Sequence, residues 1–145
     1  METALVTPFA DGEYRFWLPL PQIFELERDL GSMLAMEERL RAGIGQDHTG
    51  GAVFVGGGDA TAKEIREIIR LSLIGGNHAV VDTEEAEVGP IKAKNLVNEY
   101  VYPARPLAES AGLAWSILSA AIFGIELKKK EAPAPKPKRS RSPKA

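Results

Sequence analysis

The N-terminal residues alternate between apolar and polar side chains, and this pattern predicts a β-hairpin over residues 3–18. Between the two β-rich runs, the segment Ala10-Asp11-Gly12-Glu13 contains an Asp-Gly pair, which is typical of the positive φ angles in tight hairpin turns. Two strands alone are marginally stable, so we expect the hairpin to pack on helices. Period-two alternation places Tyr14, Phe16 and Leu18 on one face of the second strand, and Arg15 and Trp17 on the other.

Helical spacing of apolar residues after the hairpin predicts about five helices. Ser32 can cap the second helix, and Thr61 with Glu64 forms a capping-box pattern at the start of the third. Asp82 or Thr83 can start the fourth, where Gly89-Pro90 either interrupts the helix or marks its true start. The predicted helices cover about residues 21–30, 33–42, 61–74, 83–102 and 106–123.

Residues 43–58 contain seven glycines and predict a loop with one short strand candidate at 52–55. The last helix is the longest apolar one, and we expect it to be central and buried. The pattern therefore predicts a mainly α (α+β) fold, in which the N-terminal hairpin packs on about five helices in a single globular domain over residues 1–127.

Composition places this 145-residue chain among ordinary globular proteins, with 44% hydrophobic and 26% charged residues and no cysteine. The absence of cysteine excludes disulfides, thiolate zinc sites and a cysteine nucleophile. The net charge of −2 hides an asymmetry, because residues 128–145 carry +7 and the preceding residues −9. This Lys/Pro-rich segment predicts a disordered basic tail.

Residues typical of catalysis are sparse and scattered, so we expect no enzyme, no catalytic residue, no cofactor and no metal. His48 and His78 are not paired at metal-ligand spacing, and no P-loop or Gly-x-Ser-x-Gly motif is present. The turn Gly56–Asp59 before a helix resembles an anion site, but Asp59 would repel an anion. Glu84, Glu85 and Glu87 are interpreted as a solvated helix start.

Two further function classes stay open from the residues alone. Residues 110–125 carry no charge, which suggests a membrane anchor, but as a helix they span about 24 Å against a hydrocarbon core of roughly 30 Å. The basic tail suggests non-specific nucleic-acid binding, although it holds no aromatic residue that could stack on bases.

Several segments in order resemble one known family over roughly residues 3–124. The hairpin ends in Tyr-Arg-Phe-Trp-Leu at 14–18, a helix reads Ile-Phe-Glu-Leu-Glu at 23–27, and the next helix reads Met-Leu-Ala-Met-Glu-Glu-Arg-Leu at 33–40. A third segment, Ile65 to Gly76, ends in Gly-Gly, and the last apolar helix contains Ala-Trp-Ser-Ile-Leu at 114–118. Together these segments resemble the small tail proteins of gene transfer agents and related siphophage-like prophages, which are described as tail tube proteins and as tail assembly chaperones.

The resemblance implies a cytoplasmic tail assembly chaperone that keeps the tail tube protein or the tape-measure protein competent for assembly. Its partners would be those two proteins, with homo-oligomerisation as one route to the binding surface. The alternative is a structural tail tube component located in the particle. For partner binding we predict Arg15, Trp17, Trp115 and Phe123.

Overall fold

A computed structural model describes residues 1–126 of the chain, and five helices hold half of them. The helices are α1 (Leu20–Leu30), α2 (Met33–Arg41), α3 (Ala62–Gly76), α4 (Pro90–Tyr100) and α5 (Leu107–Phe123). The strands are β1 (Leu5–Phe9), β2 (Gly12–Phe16), β3 (Ile44–Gln46), β4 (Ala52–Phe54), β5 (Ala79–Val81) and β6 (Glu84–Ala86). The predicted fold class is confirmed. The tail predicted for residues 128–145 lies outside the described residues.

The N-terminal hairpin is half of a four-stranded antiparallel sheet in the order β1-β2-β5-β6. Tyr14 and Phe16 of β2 are buried as their alternation predicts. Both rings meet Phe9 edge-on, at centroid distances of 5.7 and 5.4 Å. The Tyr14 hydroxyl donates to Asp11 at 2.6 Å, and burial together with this carboxylate raises the Tyr14 pKa. These contacts fix the sheet on the hydrophobic core.

Helix α3 is the centre of the fold and packs against β2, α1, α4 and α5. Its capping box forms as predicted, since Thr61 accepts from the Glu64 amide and Glu64 accepts from the Thr61 amide. At its other end, Gly76 lies directly on β2, and Gly75 lies on Trp17 and Pro19, which follow β2. A Cβ on Gly76 would stand 1.9 Å from the Arg15 carbonyl oxygen, so only glycine allows this contact between helix and strand.

The predicted helix over 83–102 is wrong in its first turns, because α4 begins at Pro90. Residues 79–86 form instead the β5–β6 hairpin, whose turn residues Asp82 and Thr83 have φ of 54° and 64°. Consequently Glu84 and Glu85 lie on a strand and do not begin a helix. Strand β5 pairs over a long sequence distance with Glu13 and Tyr14 of β2, and this pairing gives the segment a place in the sheet.

Two other details differ from the predictions. The hairpin turn is formed by Ala10 and Asp11 and has its positive φ at Ala10, one position before the expected site. Gly12 allows the close approach of β5, since a Cβ at this position would lie 2.3 Å from the Val80 carbonyl oxygen. The strand candidate at 52–55 is observed as β4, and it pairs with β3, which the glycine-rich sequence did not predict.

Helix α5 places seven of its 17 residues in the buried core and packs against α3, α2 and β4, whereas the centre of the fold is α3. Gly112 lies where β4 crosses the helix, and a Cβ there would stand 2.7 Å from the Ala52 carbonyl oxygen. Within residues 1–126, none of the helices combines the length and apolarity that a membrane crossing needs.

Candidate interaction surface

Arg15 and Trp17 lie side by side on the face of the hairpin that points away from the core. The Arg15 guanidinium stands 4.8 Å from the centroid of the Trp17 ring and donates to the Gly76 carbonyl at 3.2 Å. The Trp17 indole donates to the Thr3 hydroxyl at 3.0 Å. Both side chains are half-buried and held in place, so binding here would cost little side-chain entropy.

The N-terminal segment links the surroundings of Trp17 to the end of α5. Thr3 contacts Trp17, while the neighbouring Glu2 pairs with Ile125 through two backbone hydrogen bonds of 3.0 and 2.7 Å. Phe123, two residues before this bridge, is 61% exposed. Residues 2 and 3 of the N-terminal segment therefore contact both Trp17 and the chain just after Phe123.

Trp115, the fourth predicted residue, has a different place and a structural contact. Its indole donates to Glu37 at 3.0 Å, and Glu37 also accepts two hydrogen bonds from Arg41, at 2.9 and 3.1 Å. Hydrogen bonding from Arg41 lowers the Glu37 pKa, against the opposing effect of burial. Along the axis of α5, Trp115 lies about 12 Å from Phe123, so the structure does not bring the four predicted residues together.

A groove of about 500 Å³ lies between β1 and α5. We call it the β1–α5 groove. Because β1 is the edge strand of its sheet, the groove borders a strand edge that another segment could pair with. Its walls include Leu5, Thr7, Phe9, Tyr100, Glu109 and Leu113.

Sequence reasoning missed this groove, although two signals point to it. Pro8 inside a strand indicates an edge position, since proline has no N–H for a central ladder. Gly112 inside an apolar helix indicates close backbone approach, here by β4 on the flank of the groove.

A second surface missed by sequence reasoning lies on α1 and α2. Leu20 and Phe24 are one helical turn apart and both exposed, and Leu34 at the start of α2 is exposed as well. The spacing that places Leu26 in the core also places Leu20 and Phe24 outward, so this was a readable signal.

The acidic side chains of the described residues are scattered or engaged in structural contacts. Among residues 1–126, no three His, Asp or Glu side chains come together as a metal ion requires. Glu64, the most buried carboxylate beside Glu37, is held by the Arg39 guanidinium and by its capping role. The buried charges are thus engaged in structural pairs.

A family model described as "Phage tail tube protein, GTA-gp10" matches residues 2–124. The chain belongs to this family. The match spans nearly all described residues, from the N-terminal segment at Glu2 to the end of α5, and it confirms the resemblance to gene transfer agent tail proteins. No curated protein and no solved structure matches the chain. Membership in the GTA-gp10 family establishes a role connected with phage-like tails.

Proposed function

We propose that this GTA-gp10 family member is a non-enzymatic tail assembly chaperone, which acts in the cytoplasm on the tail tube protein or the tape-measure protein. The observation that carries the proposal is the small sheet content. Strands of only three to five residues form the four-stranded sheet, and helices hold half of the described chain. Tube rings are commonly built from larger sheets whose edges pair between subunits, so this fold suits transient binding better.

The exposed apolar surfaces support the same proposal. Phe123 beside the N-terminal segment, and Leu20, Phe24 and Leu34 on α1 and α2, are exposed and offer apolar contacts to a partner, and the half-buried Trp17 adds part of its ring. Large exposed apolar patches are typical of protein-protein interaction sites. A chaperone needs such surfaces while its partner is still unassembled.

A structural tail tube component is the second candidate. The description of the family model favours it, and so does the position of β1 at a sheet edge, where a neighbouring subunit could add a strand. Both candidates require contact with other tail proteins, and they differ in whether the chain stays in the finished particle.

Quantitative mass spectrometry of this chain, in purified particles and in the producing lysate, separates the two candidates. Amounts are scaled to the major tail tube protein, which serves as the internal control. A chaperone is abundant in the lysate and absent from purified particles. A near-stoichiometric amount in the particles would refute the chaperone proposal and establish the structural role.

A further inference from the structure

We propose that residues 133–137 of this chain, Pro-Ala-Pro-Lys-Pro, bind in the β1–α5 groove of the same chain. The basic residues that follow would then lie at the acidic end of the groove. The inference goes beyond the proposed function and does not depend on it, because it concerns the chain alone.

The point at which the described chain ends supports this placement. Glu126 is the last described residue, and the preceding Ile125 pairs with Glu2. Glu2 lies three residues before Leu5, which lines one end of the groove. Three extended residues span about 10 Å. The seven residues 126–132 can span up to about 23 Å, so they can turn back and reach the groove.

The lengths of the two binding elements also agree. The strand wall from Leu5 to Phe9 is about 14 Å long, and five extended residues span about 16 Å. The segment 133–137 would fill the groove from the Leu5 end to the end near Tyr100.

The chemistry of the groove suits a proline-rich occupant. Phe9 and Tyr100 have ring centroids 6.0 Å apart, and both contribute to the walls with Leu5 and Leu113. Proline-rich segments bind aromatic-lined grooves through their rings and need few backbone hydrogen bonds. An edge strand interrupted by Pro8 offers an incomplete ladder, which favours such side-chain burial over the pairing of a full strand.

Charge complementarity sets the direction of binding. Asp11 and Glu99 are the chain neighbours of the lining residues Ala10 and Tyr100, and Glu109 lies at the same end. Arg105, also at this end, is already paired with Glu109 at 2.7 Å. Lys136, Lys138 and Arg139 would approach Glu109 at this end of the groove, in line with the opposite charges of the two parts of the chain.

The test uses the full-length chain, whose lack of cysteine allows one nitroxide spin label at A134C. We expect amide signals of Thr7, Phe9 and Leu113 to lose intensity through paramagnetic broadening. Those of Phe24 and Leu34, which lie outside the groove, should keep their intensity. High salt should reduce the loss, because it screens exposed charges. Uniform broadening, or broadening centred on the acidic β5–β6 hairpin, would overturn the proposal.

Matched variants check that the groove itself is the binding site. Thr7→Arg places a bulky cation in the groove and should abolish the broadening, whereas Val6→Arg on the exposed face of the same strand should leave it unchanged. If Thr7→Arg disturbs the amide spectrum of the fold, replacing Pro133, Pro135 and Pro137 by serine tests the same contact from the other side. Retained broadening in that variant would contradict the proposal.

A mixed sample distinguishes the chain's own tail from that of a second copy. Isotope-labelled chain without nitroxide is combined with unlabelled chain that carries it. Intramolecular binding leaves the detected signals intact. Loss of groove signals in the mixture would show that the occupant comes from a second copy, and it would overturn the assignment to the same chain.

Discussion

Glu37 of α2 is a buried carboxylate that accepts a hydrogen bond from Trp115 of α5. It is 4% exposed and accepts hydrogen bonds from Arg41 and Trp115. Replacing it with glutamine removes the charge and should lower the free energy of unfolding at neutral pH by about 1–3 kcal/mol. Urea unfolding measures this change. The matched control is Glu38→Gln on the exposed side of α2, which should stay within about 0.5 kcal/mol of the parent chain.

The same residue predicts a pH dependence with a definite sign. Hydrogen bonding from Arg41 lowers the pKa of Glu37 in the folded chain, while the unfolded value is about 4.3. Its contribution to stability is therefore complete above the unfolded value and is lost as the pH falls through the lower folded value. Glu37→Gln should flatten the loss of stability in this acidic range. If the free energy of unfolding falls with pH as steeply in the variant as in the parent chain, other carboxylates cause the loss of stability in acid.

The contact between Glu37 and Trp115 also shows the limit of sequence reasoning for single residues. Local patterns correctly predicted which side of the hairpin holds Tyr14 and Phe16, because alternation along one strand determines it. The partner of Trp115 is 78 positions away in the chain. An aromatic residue on an apolar helix gives no local sign of such a partner, so its assignment to an interaction surface rested on residue type alone.

At the scale of elements, Gly76 determines how closely α3 approaches β2. Glycine-to-alanine changes inside helices ordinarily stabilise by about 0.5–1 kcal/mol. Here the new Cβ would lie 1.9 Å from the Arg15 carbonyl, so Gly76→Ala should instead destabilise by about 1–3 kcal/mol. Thermal or urea unfolding measures the sign. Gly89→Ala is the control, because the new Cβ meets no atom within 4 Å. Gly89 is the N-cap residue of α4, so this change should lower the free energy of unfolding by at most about 1 kcal/mol.

The β5–β6 turn gives a prediction of the opposite sign. Thr83 has a φ of 64°. In the folded chain, this left-handed conformation costs a β-branched residue about 1–2 kcal/mol. Glycine removes that strain but increases the entropy of the unfolded chain, which costs about 0.5–1 kcal/mol of stability. Thr83→Gly should therefore stabilise the chain by about 0.5–1 kcal/mol in urea unfolding. Glu84→Gly, inside β6, should destabilise it, and a loss of stability in Thr83→Gly would contradict the strain argument.

Elements with local signals were predictable, and elements made by distant pairing were not. The caps at Ser32 and Thr61 lie next to the helices that they start, and both form as expected. The three-residue strand β5 pairs with β2, and β6 in turn pairs with β5. The acidic residues at 84, 85 and 87 resemble the first turn of a helix, which led to the wrong prediction. The groove arises in the same way, since β1 and α5 are almost a hundred residues apart in the chain.

At the scale of the whole molecule, the end of the fold near Trp17 and Phe123 is the predicted partner surface that remains accessible. Phe123 is 61% exposed, so Phe123→Ser should change the free energy of unfolding by at most about 0.5 kcal/mol. Partner binding would nevertheless lose an apolar anchor, and truncated anchors typically cost more than about 1 kcal/mol of binding. We therefore expect fewer tailed particles per cell, counted by electron microscopy, with the amount of the chain unchanged.

The matched control for Phe123→Ser is Ile91→Ser at the start of α4, where the side chain is 79% exposed and lies on another element. It removes a comparable apolar group and should leave the number of tailed particles unaltered. Equal loss in both variants would mean that assembly depends on exposed apolar side chains in general and not on the Phe123 end. Normal tail formation with Phe123→Ser would remove this end of α5 from the partner surface and direct attention to Leu20 and Phe24.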